Sequence, residues 1–118
     1  MKLLIVDDST IIRRALSKYL TDKGWEIVGE AGDGKTALQI FKDKSPDLVT
    51  MDITMPEMDG LTCLDEIMKI NKSAKVIVIT ALSDQATALQ ALKKGAKAFV
   101  GKPFSPEKLN DAISKVMS

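Results

Sequence analysis

Leu3-Leu4-Ile5-Val6-Asp7-Asp8-Ser9-Thr10 opens the chain, and its abrupt passage from aliphatic to acidic residues sets the reading of everything that follows. A compact aliphatic run rich in β-branched residues suits a strand buried on both faces, as in a parallel sheet. Leu48 to Met51 and Val76 to Ile79 repeat that character further along. Glu26 to Glu30 is more polar and Ala98 to Val100 is very short, which suits strands nearer a sheet edge.

Helical patterns separate these runs. Ile11, Ile12, Ala15, Leu16, Tyr19 and Leu20 recur at helical spacing, and Gly24 is the expected stop. Ala37, Leu38 and Phe41 mark a second helix, which must end before Ser45-Pro46. Leu61, Leu64, Ile67 and Met68 mark a third, entered through Asp59-Gly60. Ala88, Leu89 and Leu92 mark a fourth, with Ser83 the expected cap and Gly95 the stop. Ser105-Pro106-Glu107 starts the last: a cap, then proline at the first helical position, then an acid favoured by the helix dipole. Its buried stripe is Leu109, Ile113 and Val116. Strand and helix thus alternate five times, which predicts an α/β fold, a doubly wound (βα)5 sandwich around a parallel sheet. No linker interrupts the 118 residues, so one domain over 1–118 is expected.

Composition removes several chemistries. There is no histidine, which excludes Ser-His-Asp and Cys-His catalysis and His-ligated zinc. Cys63 is the one cysteine, so no internal disulfide or Cys-based metal site can form. The formal net charge of +1 gives no footprint for direct nucleic-acid binding and no basic face for a membrane surface. Lys93, Lys94 and Lys97 cluster, which reads as a solvated helix end. The start is not a signal peptide, and no apolar stretch approaches a membrane-spanning length. A soluble, cytoplasmic protein is expected.

The polar residues that end each strand carry the functional signal. Asp7-Asp8 follows the first run, Asp52 follows Leu48 to Met51, Thr80 ends Val76 to Ile79, and Lys102-Pro103 follows the last. In a parallel sheet these carboxyl ends lie along one edge, where ligands bind at the topological switch point. Singly, each is unremarkable: Asp7-Asp8 reads equally well as turn and cap, and Asp52, Thr80 or Lys102 as an ordinary surface residue. Their coincidence at successive strand ends is not. Three acids against a single lysine should attract a divalent cation, and oxygen donors without His or Cys point to Mg²⁺. A metal and a lysine together suit phosphoryl transfer, with a carboxylate as nucleophile.

Leu4-Ile5-Val6-Asp7-Asp8-Ser9, the run Asp52 to Gly60, Thr80-Ala81 and Lys102-Pro103-Phe104 together resemble the CheY-like receiver domains of two-component response regulators, over the whole chain and in the right order. The resemblance implies the flavodoxin-like strand order 2-1-3-4-5. It also implies that Asp52 is phosphorylated, that Asp8 binds Mg²⁺ directly, and that Asp7 acts through a water. The backbone carbonyl of Thr54 would be a further ligand. Lys102 would pair with the phosphoryl group, with a cis peptide between Lys102 and Pro103. Thr80, with Ala81 beside it, would be the phosphoryl-binding switch, and Phe99 the switch aromatic, lacking the hydroxyl of a tyrosine. The core-packing reading of Phe99 stands beside that one. Thr54 and Leu82 fall where the family tunes phosphoryl lifetime.

By the same resemblance the partners are a sensor histidine kinase, whose phosphohistidine supplies the histidine missing here, and a downstream target such as a flagellar motor switch or other effector. The responding surface would run from about Asp84 to Ser118, the fourth helix, fifth strand and fifth helix. The expected protein is a stand-alone monomer in chemotaxis or motility signalling, and not an enzyme beyond assisting its own phosphorylation and dephosphorylation. The alternatives are the receiver half of a longer DNA-binding regulator, an aspartate-nucleophile phosphatase and a flavin carrier. The phosphatase lacks its second acid, since Thr54 stands there, and the flavin carrier lacks its phosphate loop.

Overall fold

The structure is a computed structural model and describes residues 1–53, 60–81, 85–102 and 105–118. Strands and helices alternate as the sequence predicts: β1 Lys2–Val6, α1 Thr10–Asp22, β2 Glu26–Ala31, α2 Gly34–Lys44, β3 Leu48–Asp52, α3 Gly60–Ile70, β4 Val76–Ala81, α4 Gln85–Lys94, β5 Ala98–Lys102 and α5 Pro106–Met117. The strands form one parallel sheet in the order β2-β1-β3-β4-β5. The fold is therefore the doubly wound, flavodoxin-like sandwich, with the polar β2 and β5 at its edges; β5 runs to Lys102 and is as long as β1 and β3, longer than its apolar run suggests.

Alternation along the strands divides the interior into two cores. Leu4, Val6, Val49, Met51, Val76 and Val78 face Phe41 of α2, Leu64 and Ile67 of α3 and Ala91 of α4. Leu3, Ile5, Leu48, Ile77 and Ile79 face Leu16 and Leu20 of α1 and Leu109 and Ile113 of α5. Both faces of the central strands are therefore dry, which explains their unbroken aliphatic runs.

Local chemistry sets the helix ends. The Ser9 hydroxyl accepts the Ile12 N–H at 3.3 Å, and Ser105 accepts the Lys108 N–H at 3.2 Å with Pro106 following it. Asp33 caps α2 by accepting the Thr36 N–H at 2.8 Å, and that bond holds its carboxyl below the ordinary aspartate value. α2 ends at Ser45 in the left-handed region, φ 46°, ahead of Pro46. The expected cap Ser83 lies outside the described residues.

Two apolar residues that mark their helices face outward. Ile11 is 81% exposed, because it lies about 140° around the helix from Leu16, which faces the sheet. On α4 the inward residues are Ala88 and Ala91, while Leu89 is 56% exposed. Small side chains thus sit closest to the sheet, Leu92 packs half-buried beside them, and Leu89 is left outside.

One buried group conflicts with its surroundings. Thr50, in the middle of β3 and on the Leu48 face, has a hydroxyl with no hydrogen-bond partner among the described residues. A buried, unsatisfied hydroxyl costs about 1–3 kcal/mol. Thr50→Val is nearly isosteric and is expected to stabilise the fold by about 1 kcal/mol. Urea denaturation checks this, and a loss of stability would show that the hydroxyl is satisfied in solution.

Candidate functional site

The sheet register assembles the site. Val6 pairs with Met51, so the next residues, Asp7 and Asp52, emerge side by side at the carboxyl ends of β1 and β3. These are the two strands between which the chain reverses its direction of travel across the sheet, so the crevice there is open to a ligand. Thr80 pairs with Gly101, and Ala81 with Lys102. The strands run slightly further than the apolar runs suggest, and Asp52, Thr80, Ala81 and Lys102 lie within them. They are consequently held by ladder hydrogen bonds and not by loops.

Three acids and one lysine come together here. Each carboxylate of Asp7, Asp8 and Asp52 offers an oxygen within 4.8 Å of the other two. Lys102 Nζ reaches Asp7 Oδ2 at 3.2 Å and Asp52 Oδ2 at 3.5 Å. Asp7 and Asp52 are buried and Asp8 is exposed, so the cluster has a closed floor and an open mouth. At 4.8 Å, two like unit charges repel by on the order of 3 kcal/mol at an effective dielectric constant of about 20. One ammonium among three carboxylates leaves that repulsion partly uncompensated. All-oxygen donors with one solvent-facing member fit Mg²⁺, a hard ion that keeps several waters.

Asp7 is fixed on every side. Its N–H donates to the Ala31 carbonyl at 2.9 Å, its Oδ1 accepts the Ser9 N–H at 2.9 Å, and its carbonyl accepts from the Arg13 guanidinium at 2.6 Å. Asp7 is thus both the turn residue and a member of the acid cluster, and the two sequence readings hold together. Thr80 is buried at the end of β4. Phe99 is not a core residue: it is 40% exposed. It pairs with Val78, and by alternation it shares the Thr80 face of the sheet. Ala81 is exposed beside Lys102. The carbonyl of Thr54, Leu82 and the Lys102–Pro103 peptide lie outside the described residues.

Two contributors are not legible as such in the sequence. Gly60 reads only as a helix entrance, yet its N–H donates to the Ile53 carbonyl at 2.7 Å, and a Cβ there would fall 2.5 Å from the Asp52 carbonyl oxygen. The start of α3 is pressed against the backbone that carries Asp52. Arg13 reads as one more charge on an amphipathic helix, with no signal to separate it from Arg14.

Residues 3–114 match the response regulator receiver domain. The chain belongs to that family. Receiver domains are phospho-acceptors that bind Mg²⁺ and work with a sensor kinase and effector targets. Chemotaxis protein CheY of Thermotoga maritima is 47% identical to this receiver over 115 residues, 98% of this chain and 96% of that protein. CheY of Bacillus subtilis is 44% identical over 117 residues, 99% and 98% of the two chains. The crystal structure of the CheX-CheY-BeF3-Mg+2 complex from Borrelia burgdorferi contains a chain that superposes with a TM-score of 0.95 at 40% identity, covering 100% of this receiver and 90% of that chain. The receiver is thus CheY-like in sequence over nearly its full length and CheY-like in fold. No described helix is long and apolar enough to cross a membrane.

Proposed function

We propose that this receiver is a chemotaxis-type switch in which Asp52 accepts a phosphoryl group from the phosphohistidine of a sensor kinase. The observation that carries the reading is the convergence of Asp7, Asp8 and Asp52, with the Lys102 ammonium against Asp7 and Asp52, at the switch point of the sheet. An Asp52 carboxylate oxygen forms the new P–O bond as the P–N bond of the donor breaks, and the imidazole leaves with a proton. Lys102 is within reach to neutralise charge on the transferred group. Bound Mg²⁺, held by Asp7, Asp8, Asp52 and the Thr54 carbonyl, would supply the remaining positive charge.

The acyl phosphate carries roughly −1.5 to −2 charge where the carboxylate carried one, and places three acceptor oxygens beside Lys102. Thr80, with Ala81 next to it, then offers its hydroxyl to the phosphoryl oxygens, and the response passes to Phe99 on the same sheet face. Exposed Leu89 and Phe99 give α4 and β5 the apolar surface that docking of a target needs. The domain acts as a single unit, a cytoplasmic monomer that signals through a target protein, a flagellar motor switch or another effector. It catalyses nothing beyond its own phosphorylation and dephosphorylation.

Beryllofluoride, a phosphoryl mimic, tests the reading. It is expected to bind only with Mg²⁺ present, with amide shifts spreading from Thr80 to Phe99. No binding in the presence of Mg²⁺ would reduce the chain to a docking module that has the fold without the chemistry.

A further inference from the structure

We propose that Arg13 is a positioning residue for the acid cluster: its guanidinium fixes the Asp7–Asp8 peptide and thereby sets where the exposed Asp8 carboxylate stands. The proposal rests on the reading of Asp7, Asp8 and Asp52 as a Mg²⁺ site.

Asp7 and Asp8 are joined by one peptide plane. Its carbonyl oxygen accepts from Arg13 Nη1 at 2.6 Å, a short bond with a charged donor. The other polar atoms of Asp7 are already held by Ala31, Ser9 and Lys102. Arg13 therefore supplies the restraint on the side of the plane that leads to Asp8. Asp8 is exposed and gains no orientation from packing, so the peptide before it is the main local determinant of its direction.

The guanidinium is itself held. Arg13 Nε lies 3.7 Å from Glu30 Oε1 on β2, and Nη2 donates to the Thr10 hydroxyl at 3.3 Å. Gly32 leaves room for it: a Cβ at that position would lie 3.1 Å from Arg13 Nη1. The planar fork thus bridges the turn after β1, β2 and the first turn of α1 at once, which a point-like ammonium cannot reproduce. Its charge also acts on the site, in the opposite sense, by repelling an incoming cation. Glu30 offsets much of that charge, so orientation should outweigh repulsion.

The test uses the full chain and Mg²⁺ alone, titrated with amide shifts of Asp8 and Ser9 as the readout, alongside urea denaturation. Arg13→Met keeps length and apolar packing but loses donor and charge, and is expected to bind Mg²⁺ about 10-fold more weakly, the scale of outer-shell substitutions. Arg13→Lys retains one donor and is expected to fall between Arg13→Met and the parent. Glu30→Gln leaves the Asp7 contact in place and should stay within about 3-fold of the parent. Unchanged or tighter Mg²⁺ binding in Arg13→Met, with the parent binding normally, would overturn the proposal. A parent that fails to bind Mg²⁺ would instead overturn the site reading, and this inference with it.

Discussion

Asp52→Asn is expected to abolish phosphoryl acceptance while leaving the fold intact. Asparagine fills the same volume in a site that is 5% exposed, so packing is preserved. The nucleophile is lost, because an amide oxygen does not displace a phosphoryl donor as a carboxylate does. The substitution also removes one of three like charges that lie within 4.8 Å. Lys102 keeps its contact with Asp7 at 3.2 Å and so is not left without a partner. Without Mg²⁺, stability should therefore be unchanged or raised by up to about 1 kcal/mol, since the relieved repulsion opposes the lost Lys102–Asp52 attraction. Intact mass after incubation with a phosphorylated kinase domain or an acyl phosphate gives the first readout, and urea denaturation the second. A variant that still gains a phosphoryl group would place the acceptor elsewhere. One that unfolds would make the Asp52 carboxylate a structural group.

The sequence made the sheet legible because its strands are buried on both faces and so appear as unbroken aliphatic runs, with no competing helical period. The acid cluster was legible for a related reason. Val6 and Met51 end their runs abruptly, and parallel topology then places Asp7 and Asp52 on one edge whatever the loops do. Ile11 and Leu89 mark their helices without facing the core, because periodicity counts every apolar residue near a helix face, whereas burial depends on which residues the sheet can reach. Arg13 was hidden because its role lies in a contact with a backbone carbonyl six residues away, and any residue type could have preceded that carbonyl. Gly60 is half legible: a glycine after Asp59 marks a helix entrance, but the reason for it is not local.

That reason gives the largest expected effect on stability. Gly60→Ala should destabilise the fold by about 3 kcal/mol, at the upper end of overpacking effects. An alanine Cβ would meet the Cα of Ile53, the Ile53 carbonyl oxygen at 2.8 Å and the Asp52 carbonyl oxygen at 2.5 Å. All three are backbone atoms, and Asp52 is tied into the sheet beside Ile79, so none can retreat as a side-chain tip would. Helix propensity pulls the other way, but replacing glycine by alanine in a helix gains only about 1 kcal/mol, and less at its first residue. Overlap should win. Gly24→Ala separates overlap from conformational strain: Gly24 has φ +95° and nothing within 4 Å of a Cβ, so only the left-handed backbone is penalised, by about 1–2 kcal/mol. The two variants should therefore differ in urea midpoint, and only Gly60→Ala should also disturb beryllofluoride binding, because α3 can yield only by pushing on the Asp52 backbone. Equal losses of stability in the two variants, with binding intact in both, would show that the start of α3 has room to move.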